Sequence, residues 1–362
     1  EVAFVREPAA PFFFRTALHY VLRRGEPGFY IYMTAAHDAQ MPAGSITQYA
    51  YNLRLAPQHF DYIAVDDTRR HISHSIEDEA AADRVMDATF GFADGRVVSK
   101  YDYTHAIEDG DFNLYGWAGP QAGVWWIQAS GEYYGSAPFR VLLTSHQTAK
   151  TPIIIWQAHC VHRGGYEIEF RPEDETDWQK IYGPAFIYLN DGGDYDTLWN
   201  DAKGQATTIV KKWPFAWMEH ALYPRERGEV TGQLDFDDGT PAADAWVVLA
   251  PEGEHWSHEN RGYHFWSRTD SQGRFNVQNV RPGRYGLFAL GADQFFEFER
   301  SGVAVAPGGE TALGRLSWER VVRGRRVWQI GTADRSTGEY AQGDDFHHWG
   351  LWRRYPSDFP QD

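Results

Sequence analysis

The chain has 362 residues, more than one ordinary core organises, and its 43% hydrophobic and 23% charged content supports two or three packed domains rather than wholesale disorder. A formal net charge of −16 disfavours nucleic acid or an anionic membrane surface as the main partner. No apolar run of about 18 residues is present to span a bilayer, and a single cysteine, Cys160, excludes an intrachain disulfide framework.

Strand signals dominate from the start. Gly28–Met33 (GFYIYM), Gln48–Leu55 (QYAYNLRL), Val124–Ala129 (VWWIQA) and Thr151–Val161 (TPIIIWQAHCV) are rich in β-branched and aromatic residues. Turn clusters at Gly25–Gly28, Asp191–Asp194 and Asp237–Pro241 separate such runs. Trp125 and Trp126 are expected on opposite faces of their strand, so at most one lines a cleft. Aromatics reach 16%, with 15 Trp and 20 Tyr. Such residues present a flat face and a polar edge to sugars, and they also fill all-β cores. Asp191, Asp194 and Asp196 lack the spacing of a calcium loop and read as a solvated turn. Asp196–Val210 is the one helix expected, held by Gly204 and Thr207–Val210 to two or three turns.

Near residue 225 the character changes. Glu229–Leu234, Ala245–Ala250, Arg274–Val277 and Arg284–Leu290 are short strands joined by Gly, Pro and Asp turns at sandwich spacing. This module is expected to be a spacer or scaffold. From Trp328 the sequence is aromatic and irregular, and its last 35 residues are too few to bury a core. The class is all-β, divided at 1–224, 225–320 and 321–362.

Several segments resemble polysaccharide lyase family 4, the rhamnogalacturonan lyases. They include HYVLRRGEPGFYIY (19–32), FDYIAVDDTRR (60–70), SKYDYTHAIEDGDFNLYGW (99–117) and GEYYGSAPFRVLLTSH (131–146). Further along come KIYGPAFIYLN (180–190), GYHFWSRTDSQGRF (262–275), NVRPGRYGLFA (279–289) and WQIGTADRSTGEY (328–340). The resemblance implies a large, galactose-mutarotase-like β-sandwich, a fibronectin-III-like β-sandwich and the start of a jelly-roll carbohydrate-binding-like domain. It also implies that the first domain lacks its opening strands and the third keeps only its beginning.

The family cleaves the bond from rhamnose to O4 of galacturonate by β-elimination. The C5 proton must be removed, the charge that builds beside the carboxylate offset, and O4 helped to leave. By resemblance Lys100, in SKYDYT, is the base. A lysine serves as one only where burial or a neighbouring cation favours its neutral form. His159, in WQAHC, matches the second catalytic residue and is expected to face the cleft, sharing a strand face with Val161. Read without the resemblance, His159 is a core histidine held by one backbone hydrogen bond. The family's uronate-binding arginine falls here on Gln48, which cannot neutralise charge. Arg54, on the same strand face, lies about 20 Å further along, which leaves Arg69, Arg70 or Arg140 to help. Tyr133, Tyr134, His146 and Arg140 complete the expected substrate-binding set.

No cofactor is required on this reading, and structural calcium is not indicated. The expected partner is rhamnogalacturonan I or a related uronate-containing glycan, met by a monomer outside the cytoplasm, with neither nucleic acid nor membrane as partner. A net negative charge sits awkwardly with a polyanionic substrate and requires a locally basic cleft. Two other readings stand beside the lyase. One is a glycoside hydrolase, for which Glu132 and Asp111 are available carboxylates. The other is a non-catalytic carbohydrate-binding or scaffold relative.

Overall fold

The computed structural model describes residues 1–340 except 87, 111, 147–150, 162–165, 175, 322–323 and 337–338. The first unit is built on an eight-stranded antiparallel sheet. Its strands run in the order Val2–Arg6, Arg15–Val21, Gly28–His37, Trp178–Asp191, Ala122–Gln128, Leu114–Ala118, Tyr62–Ala64 and Arg70–Ile72. Both faces of its central strands are buried, which is why they read as nearly continuous apolar runs. Trp125 and Trp126 do point to opposite faces, one into each of two cores, and neither reaches a cleft.

One face is covered by the helix Tyr195–Lys211, longer at 17 residues than its composition suggested. Asp194 caps it by accepting from the Thr197 amide, and Leu198, Trp199, Ala202, Ala206 and Ile209 form its buried stripe. Gly204 faces open space, so its cost of about 1 kcal/mol is set against that whole apolar stripe. Asp196 pairs with Arg70. Thus two of the three aspartates considered for calcium serve the helix start.

The other face packs against a second layer. Gln48–Arg54 pairs with Ile153–Cys160, and Thr104–Ala106 pairs with Val141–Leu143. A bridge between Ser145 and Ile154, and the Ile155 amide donating to Thr144 O at 2.9 Å, join these two pairs. Trp126, Trp156, Tyr133 and Tyr182 are fully buried between the layers. The strand Trp178–Asp191 bulges between Tyr182 and Ala185. Gly183 there adopts φ +89° under Trp156, a left-handed conformation that favours glycine.

Residues 228–318 form a second sandwich of three-stranded and four-stranded sheets, with a core including Val230, Leu234, Val247, Leu249, Val277, Leu287 and Trp318. It is not a loosely tethered module. The connector between Pro251 and Phe265 lies across the first unit as a strap. Lys180 Nζ donates to Asn260 O at 2.8 Å, Trp178 Nε1 to Arg261 O at 2.8 Å, and the Ile181 amide to the Tyr263 hydroxyl at 3.0 Å. Beneath it, Glu132 of the first unit is buried between Arg227 and Arg281. The spacer expected from sequence is therefore a docked partner. Residues 319–340 contain no strand among those described, with Trp328 and Ile330 well exposed. Most of the expected third segment, from 341 on, lies outside the described residues.

Candidate functional site

The motif around Lys100 is first of all a turn. Val97–Ser99 ends a small sheet, and Ser99 caps the 3-10 turn Lys100–Tyr103 by accepting from the Tyr101 amide. Asp102 completes the reciprocal cap, accepting from the Ser99 amide at 2.8 Å. Lys100 takes no part in either cap, yet it is only 6% exposed, with Nζ 5.2 Å from the Tyr101 ring centroid. Tyr103 O accepts from the Thr144 amide at 3.0 Å, so the turn stands beside Ser145 and the half-buried His146 that follows it.

His159 lies elsewhere. Ile154 and Ile155 are the residues level with Thr144 and Ser145. His159 comes four to five residues later on that strand, beyond the bulge between Gln157 and His159. The charges of Lys180 and Arg140 act on it. The resemblance places Lys100 and His159 over one sugar ring; in the structure Lys100 is on the turn beside Thr144 and His159 on the strand Ile153–Cys160. Strand alternation failed as a guide because the register shifts between Gln157 and His159, a bulge that re-aims side chains.

The imidazole of His159 is 5% exposed and bonded through Nε2 to Ile46 O at 3.0 Å. This is the buried, backbone-held histidine of the plainer reading. A carbonyl only accepts, so Nε2 carries the hydrogen and Nδ1 presents a lone pair. In that tautomer Nδ1 cannot hand a proton to a leaving O4. Burial first, then Lys180 and Arg140, hold its pKa down to about 3; burial and Arg69 bring His105 to about 4. In the unfolded chain both titrate near the ordinary 6.5. As pH falls from about 6.5 towards 3, the unfolded chain binds more protons than the folded one, so stability is lost across that window. We expect the urea midpoint to drop between pH 7 and pH 4.5 by less in His159→Gln than in the parent. Equal drops in the two proteins would show that His159 is not held neutral.

The remaining candidates divide by burial. Tyr133 and Tyr134 are core residues, with hydroxyls 3.3 and 2.9 Å from Gln128 Oε1 and rings packed on each other, so neither offers a face to a sugar. Gln48 is exposed and pairs with Cys160. Arg69 is held by Asp66 and by the carbonyls of Asp102 and Thr104, and Arg70 by Asp196 and Tyr62. Arg140 is buried. Glu132 cannot serve a hydrolase, because two arginines enclose it; Asp111 lies outside the described residues.

Sequence reading overlooked Lys180. Burial, with a smaller push from Arg281 against the pull of Glu259, brings it down to about 8. The available signal was parity: Lys180 shares its strand face with Tyr182, a core position.

Residues 8–89 match the model of the rhamnogalacturonate lyase family, and residues 239–313 that of polysaccharide lyase family 4, domain II. The chain is 30% identical to the rhamnogalacturonate lyase of Dickeya dadantii over 95% of its own length and 57% of that protein. It is 24% identical to rhamnogalacturonate lyase B of Emericella nidulans over 94% of the chain and 56% of that protein. Against the probable rhamnogalacturonate lyase B of Aspergillus niger, identity is 25% over 74% of the chain and 40% of that protein. The chain therefore spans between 40% and 57% of the length of these three relatives. Within that span, the two family matches fall in the two sandwiches and the relatives run through both, so the chain is similar across both sandwiches to rhamnogalacturonate lyases of polysaccharide lyase family 4.

Proposed function

We propose that the chain carries the elimination chemistry of a polysaccharide lyase and acts on the bond from rhamnose to O4 of galacturonate in rhamnogalacturonan I. Lys100 takes the C5 proton, the C5–H electron pair becomes the C4–C5 double bond, and the C4–O4 bond breaks. O4 departs on rhamnose with a proton. The observation that carries this reading is a lysine buried on a turn whose caps are supplied by Ser99 and Asp102. The two caps that hold this turn are made without the amine, and the side chain is nonetheless buried. His146, at the same end of the layer, is better placed than His159 to assist O4. A pectic substrate implies action outside the cytoplasm, in an extracellular or periplasmic setting.

A second reading, a glycan-binding relative without turnover, is favoured by Gln48 in the place of an arginine and by the commitment of His159 to a backbone carbonyl. Incubation with rhamnogalacturonan separates the readings. A lyase generates the ultraviolet absorbance of a conjugated, unsaturated uronate. A hydrolase would release reducing ends without that band, and a binder would do neither. Either of those results would overturn the proposal.

A further inference from the structure

With Gln48 unable to neutralise a uronate, the fold singles out one other cation. Arg69 and Arg70 are committed to Asp66 and Asp196. Arg140 is 3% exposed, its Nη1 is buried without a hydrogen-bond partner, and no carboxylate pairs with it among the described residues. Burial holds the guanidinium below its ordinary value, offset only by the Cys160 thiol and the Tyr134 phenol. Leaving a charge buried and unpaired is strongly unfavourable, and an incoming anion would remove that cost. The strand order gives the address. Counting antiparallel from the bridge between Ser145 and Ile154 brings Arg140 level with His159, or with Cys160 once the bulge between Gln157 and His159 is allowed for, and Cys160 pairs with the exposed Gln48. Two strand spacings, about 10 Å, separate Arg140 from the position where the family carries its arginine, close enough for both side chains to meet one ligand.

We propose that Arg140 is a carboxylate-binding residue that stands in, from two strands away, for the arginine replaced by Gln48. This rests on the reading of a uronate-containing glycan as ligand. Arg140 is at the His159 end of the layer, and the carboxylate it holds is assigned to a sugar flanking the one Lys100 deprotonates. Its contribution is to binding along the glycan, realised equally before and during the reaction.

The test uses D-galacturonate against neutral D-galactose on the intact chain, followed by calorimetry and by the ring resonances of His159. The parent should bind galacturonate at least about tenfold more tightly, a difference of roughly 1.4 kcal/mol, and only galacturonate should shift His159. Arg140→Gln should abolish the preference, Arg140→Lys should keep part of it, and Arg140→Gln combined with Gln48→Arg should restore it. Equal affinity for the two sugars in the parent, or unmoved His159 resonances, would overturn the assignment even if Arg140→Gln fails to fold. A preference surviving Arg140→Gln would do the same. Because these sugars are not cleaved, an intact preference without any unsaturated product would sink the lyase reading and leave Arg140 standing.

Discussion

Replacing Glu132 by alanine is expected to lower the unfolding free energy by about 3–5 kcal/mol. Its carboxylate accepts from Arg281 Nε at 3.0 Å and Nη2 at 2.7 Å, and from both terminal nitrogens of Arg227. Burial pushes the Glu132 carboxyl up, but Arg281 and Arg227 more than reverse that and hold it below the usual carboxylate range. Deleting it strands two guanidinium groups inside an interface with no other acid bonded to them among the described residues. Their remaining contacts are to carbonyls and to the rings of Tyr223, Tyr263 and Trp213. A surface pair provides the scale. Glu7 and Arg15 are 3.2 Å apart but largely exposed, and Glu7→Ala should change stability by under about 1 kcal/mol. Urea denaturation followed by intrinsic fluorescence measures both. The parent should unfold in one transition, and Glu132→Ala should lower the midpoint and separate the two sandwiches into two steps. A single, unshifted transition in Glu132→Ala would mean the buried cluster does not couple them.

Lys100→Ala should lower turnover of rhamnogalacturonan by about 10²–10⁴-fold, the range expected when a general base is removed, without moving the thermal midpoint. The separation of effects follows from the turn's construction, since the caps that hold it join the Ser99 and Asp102 side chains to backbone amides. Binding of the glycan should change little, so the loss should appear in kcat rather than in KM. Lys180→Ala is the contrasting variant. Its ammonium is buried at 1% exposure and bonded to the strap, so its loss should destabilise the protein. Turnover within a few-fold of the parent in Lys100→Ala would remove that lysine from the mechanism.

The all-β class and the change of character near residue 225 were readable because periodicity and turn residues are local signals. The opposed faces of Trp125 and Trp126 followed from the same alternation. The helix came out longer than expected because its stability is tertiary: Leu198, Trp199 and Ala202 bury against the sheet, and propensity alone counts only the cost of Gly204 and the threonines. The candidate site was less legible. Which strands neighbour one another, and at what level, is decided by bridges such as Ser145 to Ile154 and by the bulge before His159, neither of which leaves a pattern in sequence. Tyr133 and Tyr134 have the composition of a sugar platform and the environment of a core. Glu132 looked like a spare carboxylate because its partners, Arg227 and Arg281, lie 95 and 149 residues away.

The strap across the first sandwich has a consequence for how such proteins can be recombined. Gly135 lies so close beneath Asn260 that any side chain there would overlap it, and the ions under the strap come from both sides of the junction. A recombinant that joined this first sandwich to a foreign second one would inherit a carboxylate and an ammonium with no counterparts. Swaps within the family should therefore succeed when both modules travel together and fail when the crossover falls between them.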